Sequence, residues 1–265
     1  MRDDTYTHGH HPSVLRSHTW RTAENSCGYL LPHLRAGMDV LDVGCGPGTI
    51  TADLARLVGP GTVLGIDRSD DVLAQAREAA RGVGNVSFAV GDVYALDADD
   101  GSADVVHAHQ VLQHLSDPVA ALREMRRVCR PDGLIAARDS DYGAFTWAPA
   151  DPDLDRWLDL YRQVARSNDA EPDAGRHLKR WALAAGFSEV RASASAWCFT
   201  DDEDRAWWGG LWADRIRESD LARQAVDRGM ATTSDLQAFA DAFHRWAAAP
   251  DGWFAVLHGE VLARP

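Results

Sequence analysis

Short apolar runs alternate with longer helical patterns along the first half of the chain. The runs predict buried strands, and the segments between them repeat apolar positions every three or four residues, as helices do. This alternation predicts an α/β fold in which a parallel sheet is covered by helices on both faces. The predicted strands are Asp39 to Val43, Thr62 to Asp67, Val86 to Val90, Ala103 to His107 and Gly133 to Arg138, and the predicted helices between them are Thr49 to Val58, Asp70 to Arg81 and Pro118 to Cys129.

The pattern changes beyond Tyr142, where helical segments dominate. Two helical segments precede a predicted strand, the acidic stretch TDDED then begins a longer helical region, and a last apolar run predicts a closing strand. In chain order these are Asp153 to Arg166, Gly175 to Ala185, the strand Glu189 to Cys198, a helical region ending near Ala249, and the strand Trp253 to Ala263.

Nine of the ten tryptophans lie in this second half. Clusters such as Trp207, Trp208 and Trp212 fit three arrangements: the core of a helical insertion, the wall of an aromatic substrate pocket, or a subunit contact. The pattern alone leaves all three open.

Composition and charge limit the number of domains and the kinds of molecule that the protein can bind. A chain of 265 residues with 45% hydrophobic residues can bury a full core, so one α/β domain with additions is expected. The formal net charge of −13 opposes binding to nucleic-acid phosphates or anionic membranes. No run approaches the roughly 18 apolar residues of a membrane span. We therefore expect a cytoplasmic protein with a small-molecule partner, and neither a nucleic acid nor a membrane.

The four cysteines, Cys27, Cys45, Cys129 and Cys198, are scattered along the chain. They form no C-x-x-C pair and no Cys/His ligand spacing, so the sequence predicts neither a disulfide framework nor a structural zinc site. This usage fits a reducing compartment.

The strongest candidate for chemistry is the stretch VLDVGCGPGTIT, Val40 to Thr51. A buried strand runs into a G-x-G-x-G loop, Gly44 to Gly48, and then a helix, so a ligand can approach backbone amides at a helix N-terminus. Asp67 closes the second strand, where a carboxylate can accept both ribose hydroxyls, and Asp92 follows the third. Single aspartates at such places are often N-caps or turn residues, but the ordered set predicts an adenosine site.

These residues resemble the class I S-adenosylmethionine-dependent methyltransferases, and within them the UbiE-like (Methyltransf_11/25-type) group. The resemblance runs from about Met38 to Arg138, through VLDVGCGPG, GIDRSDDVLAQAR, GDVYALDADDGSADVV and HQVLQHLSDPVAALREMRRVCRPDG. It implies a Rossmann-like sheet of seven strands with helices on both faces and an antiparallel closing strand. It also implies an N-terminal lid and helical insertions in the C-terminal half.

The resemblance further implies a single methyltransferase domain over residues 1–265. Residues 1–37 would form the N-terminal lid and helix, and residues 38–140 the cofactor-binding core. Residues 141–265 would supply substrate-side helices and closing strands. An insertion before the closing strand usually covers the active site in this fold.

The cofactor implied by the resemblance is S-adenosyl-L-methionine, which leaves as S-adenosyl-L-homocysteine. Each matched position then carries an implied role. These are Asp42 for the methionyl ammonium through water, Gly44 and Gly46 beneath the cofactor, Asp67 for the ribose, Arg68 beside the adenine, Asp92 with Val93 at the adenine edge, and His109 and Gln110 near the sulfonium end.

The chain departs from the commonest family pattern at Pro131-Asp132-Gly133, where Pro-Gly-Gly is usual. That departure touches a turn and leaves the cofactor residues intact.

Two other classes of protein share part of this pattern. A nicotinamide-dependent reductase shares a glycine loop and an acid, but the loop lacks the full G-x-G-x-x-G spacing. A short-chain reductase also needs Tyr-x-x-x-Lys, whereas the single lysine, Lys179, has Gly175 four positions before it. A non-catalytic, cofactor-binding regulator or scaffold stays open, because catalysis in this family demands little from side chains.

Few side chains are candidates for a general base. Methyl transfer from an activated sulfonium needs mainly alignment and exclusion of water, although an acidic oxygen or carbon nucleophile benefits from a base. His114 lies just after the fourth strand, where the pocket should open, and is the candidate catalytic residue. The alternative is a structural histidine bonded to the loop. Asp139 and Asp141 fit solvated loop acids better than metal ligands.

The N-terminal stretch YTHGHHPSVLRSHTW contains four histidines: His8, His10, His11 and His18. No cysteine or acid pattern completes a zinc site, so no metal is predicted. The family often lays its N-terminal segment across the cofactor cleft, and GHHPSVLRSH…RT resembles a recurrent opening in one UbiE-like subgroup. The candidates for the roof of the pocket are Tyr6, His10, His11 and His18.

The predicted function is methyl transfer from S-adenosylmethionine to an O-, N- or C-nucleophile of a small molecule. We expect a hydrophobic or aromatic acceptor, in secondary metabolism or quinone-type biosynthesis. The sequence does not name the acceptor, and it leaves open whether the chain forms a homodimer.

Overall fold

One mixed sheet organises the chain in the computed structural model, which describes residues 4, 6, 7, 9 and 12–265. Its strands are β1 (Val40–Val43), β2 (Val63–Asp67), β3 (Val86–Val90), β4 (Ala103–His109), β5 (Cys129–Ser140), β6 (Thr146–Ala148), β7 (Glu189–Phe199) and β8 (Trp253–Arg264). They follow the order β3-β2-β1-β4-β5-β8-β6, and β7 also pairs with β8.

Strands β1 to β5 are parallel, as the sequence predicts. Val40 at the start of β1 pairs with Val63 on one side and with Val105 on the other, and all four residues of β1 are buried, as expected for a central parallel strand. The carboxyl ends of these strands therefore meet at one edge of the sheet, which is where a ligand site forms in open α/β sheets.

β5 begins at Cys129, four residues before the predicted start. Its pairing with β4 jumps from Ala103–Cys129 to Val105–Leu134, which leaves the residues between them outside the regular ladder. Pro131 lies in this irregular stretch, where its missing N–H costs no ladder hydrogen bond.

The closing strand β8 is antiparallel to both β5 and β7, which confirms the expected orientation. The predicted seven-stranded sheet is present, and β6 is an additional short strand that pairs with residues 253–255 of β8. A three-residue strand is too short to produce a recognisable alternation in the sequence.

The helices flank this sheet with bounds close to the predicted ones. Ser69 and Asp117 cap two of them by accepting hydrogen bonds from Val72 and Ala120 backbone N–H groups. They are α1 (Pro12–Thr19), α2 (Ala23–Ser26), α3 (Thr49–Val58), α4 (Asp70–Ala79), α5 (Pro118–Val128), α6 (Pro152–Arg166), α7 (Leu178–Ala184), α8 (Asp202–Glu218), α9 (Asp220–Asp227) and α10 (Thr233–Ala248). The segment predicted as one helix from Gly175 begins instead as a 3-10 turn, Ala174–His177.

Aromatic side chains of the second half fill a core between α6, α8, α10 and β8. Trp157 and Trp212 are fully buried, with ring centroids 4.6 Å apart in an edge-to-face contact. Trp208 belongs to the same core, and Trp207 packs against it. The core arrangement considered for the tryptophan cluster is thus present, and Trp208 and Trp212 also face the cavity described below.

Among the described helices, none combines the length and the apolar character that crossing a membrane requires.

Candidate active site

The glycine loop turns sharply away from the end of β1. Gly44, Gly46 and Gly48 have φ values of +66°, +55° and +76°, a conformation that side chains other than glycine rarely adopt. A Cβ at Gly44 would lie 2.4 Å from a Val111 methyl, whereas one at Gly46 would meet nothing nearer than His18 Nδ1, at 3.9 Å. The loop is therefore packed on one side and open to a ligand at Gly46.

Asp67 at the end of β2 holds the glycine loop in place. Its Oδ2 accepts a hydrogen bond from the Gly46 backbone N–H at 3.0 Å, and its Oδ1 accepts one from Ser69 N–H at 3.1 Å. Each carboxylate oxygen keeps a further lone pair, so Asp67 can still accept hydroxyl groups from a ligand.

Asp42 on β1 belongs to a buried polar chain. Its oxygens accept hydrogen bonds from Thr51 Oγ1 at 2.6 Å and from His107 Nδ1 at 2.7 Å. On the far side, His107 Nε2 lies 3.3 Å from Cys27 Sγ. Burial opposes the charged form of His107, but Cys27 and Asp42 outweigh it and raise the pKa of His107 to about 10. Asp42 is thereby fixed in orientation beside the glycine loop.

A single cavity of about 450 Å³ opens at the carboxyl edge of the sheet. It brings together most of the residues predicted for the cofactor, the base and the roof. Those in its lining are Tyr6, His18, Asp42, Gly44, Gly46, Asp67, Arg68, Val93, His109, Gln110 and His114. His10 and His11 lie outside the described residues, so their predicted place in the roof stays a prediction.

Asp92 is the predicted cofactor residue that does not line this cavity, although its neighbours Gly91 and Val93 do. Its Oδ1 accepts a hydrogen bond from Tyr94 N–H at 3.0 Å and so closes the turn after β3. This is the turn role that the sequence left as the alternative. The adenine contact of Asp92 stays a prediction that the cavity lining does not support.

The end of β4 presents polar groups to the cavity. Both ring nitrogens of His109 are buried without a hydrogen-bond partner among the described residues, and so is Nε of Arg21. Burial, together with Arg21 and Arg138, lowers the pKa of His109 well below its usual value, so the ring is neutral. Gln110 accepts a hydrogen bond from Arg21 Nη2 at 2.7 Å and contacts His258 Nε2 at 2.8 Å.

Buried polar atoms normally have partners, so the open nitrogens of His109 and Arg21 are places where a polar ligand fits.

The N-terminal segment lies over this edge of the sheet. Tyr6 packs edge-on against His114, with ring centroids 4.7 Å apart, and its hydroxyl lies 3.3 Å from His18 Nε2. Burial raises the pKa of Tyr6 to about 12, so its phenol is neutral at physiological pH. Asp4 Oδ1 accepts a hydrogen bond from Ser116 N–H at 3.0 Å. Tyr6 and His18 therefore contribute to the cavity wall from the N-terminal side.

His114 is held by Gln113. Gln113 Oε1 accepts a hydrogen bond from Ser140 N–H at 3.2 Å, so its amide nitrogen is the group that donates to His114 Nε2, at 3.0 Å. Burial, together with Arg21, lowers the pKa of His114 to about 3. A neutral ring whose Nε2 lone pair is already engaged is a weak base, so this geometry favours the structural interpretation of His114. The catalytic role stays a prediction.

Asp139 and Asp141 do not form a metal site. Asp139 is fully buried and accepts a hydrogen bond from Gln113 N–H at 3.1 Å, and Asp141 is paired with Arg176 at 2.5 Å. Both were expected to be solvated loop acids, and that expectation is wrong, because each is buried and bonded inside the fold. Within the described residues, no three His, Cys, Asp or Glu side chains converge as metal ligands would.

The far side of the cavity is aromatic and carries one cation. Tyr142 and Phe145 stack with centroids 4.4 Å apart, and Trp208 and Trp212 come from α8. Arg215 on α8 also lines the cavity and stacks on Trp212 at 4.6 Å.

The sequence prediction missed Arg21, Tyr142 and Arg215. Of these three residues, only Arg215 belongs to a sequence pattern that could have indicated its position. Arg205, Trp208, Trp212 and Arg215 repeat at three- and four-residue spacing, which places both arginines on the buried aromatic face of α8.

Comparison with known proteins identifies the family. Residues 34–193 match the family described as "Methyltransferase domain". The chain is also 34% identical to an uncharacterized methyltransferase of Schizosaccharomyces pombe, over 97% of this chain and 95% of that protein. This chain belongs to the methyltransferase family.

Two further similarities concern the core and the fold of the methyltransferase. It is 37% identical to a demethylmenaquinone methyltransferase of Staphylococcus aureus over 40% of this chain and 45% of that protein. Its fold is similar to a solved structure of a phosphoethanolamine N-methyltransferase from Haemonchus contortus, in complex with phosphomonomethylethanolamine and S-adenosylhomocysteine. That match has a TM-score of 0.58 and 16% identity, over 91% of this chain and 53% of the other. The predicted family, S-adenosylmethionine-dependent with a UbiE-like core, is confirmed.

The residues of the methyltransferase fit S-adenosylmethionine. The space beside Gly46 is open, and Asp67 stands next to it at the end of β2, where a ribose would need a carboxylate. The open nitrogens of His109 and Arg21 lie toward the end of β4 and can meet the polar methionyl group.

Proposed function

We propose that this methyltransferase transfers a methyl group from S-adenosylmethionine to a small hydrophobic or aromatic acceptor. The observation that carries the proposal is that one cavity joins two different walls. The glycine loop and Asp67 form one wall, and Tyr142, Trp208 and Trp212 form the other. A cofactor on the first wall and a ring on the second would share one closed space.

The cofactor side would be held by a small set of groups. Asp67 would accept the ribose hydroxyls, Gly44 and Gly46 would let the cofactor approach the backbone, and Arg21 would pair with the methionyl carboxylate. S-adenosylmethionine supplies a methyl group already activated by the positive sulfur to which it is bonded. The protein's own contribution is then to orient the acceptor and to exclude water from the reacting atoms.

The identity of the acceptor stays a proposal at the level of chemical class. The aromatic wall favours a ring or another flat apolar group, which fits both secondary metabolism and quinone-type biosynthesis. The likeness to demethylmenaquinone methyltransferase covers 40% of the chain and supports a quinone-type acceptor through the shared core alone. The cytoplasmic location and the single domain over residues 1–265 also stay proposals.

The alternative is a protein that binds the cofactor without transferring its methyl group. One experiment separates the two. Calorimetry with S-adenosylmethionine and S-adenosylhomocysteine measures binding, and cell extract incubated with methyl-labelled cofactor shows whether any small molecule gains the label.

We expect binding of both ligands and at least one labelled product. The absence of heat with either ligand would contradict the cofactor assignment, whereas binding with no labelled product would favour the regulator.

A further inference from the structure

Arg215 is a buried cation in the acceptor half of the cavity. It is 4% exposed, and its Nη2 donates to Ser13 O at 3.0 Å and to Ser17 Oγ at 2.8 Å. Its Nε has no hydrogen-bond partner among the described residues. Within the described part of the chain, the hydrogen bonds of the guanidinium therefore go to neutral acceptors, and its Nε donor stays unused beside the cavity.

The other deeply buried arginines among the described residues each have a carboxylate partner. Arg138 is 1% exposed and lies 3.4 Å from Glu260, and Arg205 is 4% exposed and lies 2.6 Å from Asp202. Arg215 has no carboxylate within ion-pair distance among the described residues. Because a buried charge is costly unless it is paired, Arg215 is a position where the described residues leave a negative partner missing.

The surroundings of Arg215 do not supply that negative charge. The nearby phenols are Tyr6, Tyr142 and Tyr161, and burial raises the pKa of each of them, so all three are neutral at physiological pH. Burial lowers the pKa of Arg215, and Arg16, which has the same sign, lowers it further. A ligand anion would therefore meet a positive, largely dry site.

The cofactor has one carboxylate, and Arg21 is better placed to bind it. Arg21 is bonded to Gln110 at the end of β4, next to the glycine loop, and it also has an unused Nε donor. Arg215 comes instead from α8, stacked on Trp212 in the aromatic wall. If Arg21 binds the cofactor carboxylate, Arg215 remains to bind a negative group of the acceptor.

We infer that Arg215 forms an anion subsite and that the methyl acceptor is a small aromatic or apolar molecule bearing a carboxylate. The planar guanidinium would hold the carboxylate through Nε while Trp208 and Trp212 hold the ring. This inference rests on the proposed function, since it names the acceptor class of the same site.

Matched acids and amides test the charge requirement. The full chain, saturated with S-adenosylhomocysteine, is titrated in a calorimeter with phenylacetate, 4-hydroxybenzoate and indole-3-acetate. Each neutral primary amide is then titrated in the same way. We expect at least one acid to bind at least about tenfold more tightly than its own amide, as a charge-assisted hydrogen bond would give.

Variants assign that preference to Arg215. Arg215→Gln should reduce the preference for acid over amide to about twofold or less, and Arg215→Lys should keep part of it because the charge remains. Arg205→Gln is the matched control, since Arg205 is equally buried on the same face of α8 but does not line the cavity. It should keep the full preference. Thermal unfolding of each variant reports whether it folds, and the acid–amide comparison on the unmodified chain decides the question if the Arg215 variants do not.

Three results would overturn the inference: amides that bind as tightly as acids, no binding by any acid of the panel, or an Arg215→Gln variant that loses affinity for S-adenosylhomocysteine. The last result would assign Arg215 to the cofactor. Failure of the proposed function is distinguishable, because the unmodified chain would then either bind no S-adenosylhomocysteine or label no small molecule in cell extract, whatever its preference between acids and amides.

Discussion

Gln110 shows how single residues are constrained at this site. Its φ of +55° is unusual for a residue other than glycine or asparagine and costs roughly 1 kcal/mol or more. The conformation is held by a hydrogen bond from its N–H to Arg138 O at 2.7 Å, while its side chain joins Arg21 to His258. The Gln110 side chain thus holds Arg21 beside the cavity, where the methionyl carboxylate is proposed to bind.

Asp67 is the residue whose replacement tests the cofactor wall. Asp67→Ala removes the acceptor of the Gly46 and Ser69 N–H groups and the proposed ribose ligand. We expect affinity for S-adenosylmethionine to fall by about 1.5 to 3 kcal/mol, roughly ten- to a hundredfold, as measured by calorimetry. Asp70→Ala is the control, because Asp70 is exposed and pairs with Arg77 on the surface. Unchanged affinity in Asp67→Ala would remove Asp67 from the ribose site.

The residues that the sequence correctly placed beside the cavity are those whose position follows from local spacing. Asp67 and the glycines are recognisable because a strand, a tight loop and a helix must follow each other at fixed distances. Arg21 and Arg215 are 194 positions apart and meet at one cavity through the tertiary fold, so no local pattern connects them. Asp92 closes a turn outside the cavity lining, so its adenine contact stays a prediction that the local motif alone supports.

At the scale of elements, the close packing of α8 against α10 depends on Gly209. A Cβ at Gly209 would lie 2.8 Å from Ala247 Cβ and 2.9 Å from Phe243 O, while one at Gly210 would meet nothing within 4 Å. Both glycines are in the interior of α8, so they share the same helix propensity and differ in contact. Comparing substitutions at these two adjacent glycines therefore distinguishes the effect of packing between the helices from the effect of intrinsic helix propensity.

We expect the two alanine substitutions to have opposite signs. Gly209→Ala should lower the free energy of unfolding by about 1 to 3 kcal/mol, because α8 and α10 must move apart. Gly210→Ala should raise it by about 0.5 to 1 kcal/mol, because alanine loses less backbone entropy in a helix. Urea unfolding measures both. Equal effects in the two variants would show that the glycines matter through propensity and not through the contact.

Element boundaries differed from the prediction where tertiary contacts decide them. β6 forms because residues 253–255 of β8 extend past the end of β5 and offer an edge to pair with. The early start of β5 is a long-range pairing of Cys129 with Ala103 that a local pattern cannot show. α3 and β3, whose ends follow from the local sequence pattern, have the predicted bounds.

At the scale of the whole molecule, the N-terminal segment connects the sheet to the helical layer above it. Asp4 accepts hydrogen bonds from Ser116 N–H and, through its carbonyl, from Arg68 Nη1, both at 3.0 Å. Thr7 accepts hydrogen bonds from Asn168 Nδ2 at 3.2 Å and from Gln224 Nε2 at 3.3 Å. The hydrogen bonds of Asp4 and Thr7 thus hold the segment that contains Tyr6 over the cavity, as expected for a lid.

Deleting residues 1–11 tests whether this segment acts as a lid. The deletion removes Tyr6 and the hydrogen bonds of Asp4 and Thr7 but leaves α1 and every strand of the sheet. We expect label transfer to the acceptor in cell extract to fall at least about tenfold, because water would enter beside the reacting atoms. The thermal midpoint should fall by less than about 10 °C, since about four hydrogen bonds are lost, of which two are exposed and two are partly or fully buried. A deletion of residues 1–3, which keeps Asp4 and Thr7, is the control and should retain transfer. Full transfer by the longer deletion would refute the lid and leave Tyr6 as a packing residue, because exclusion of water would then have to come from α8 and the aromatic wall alone.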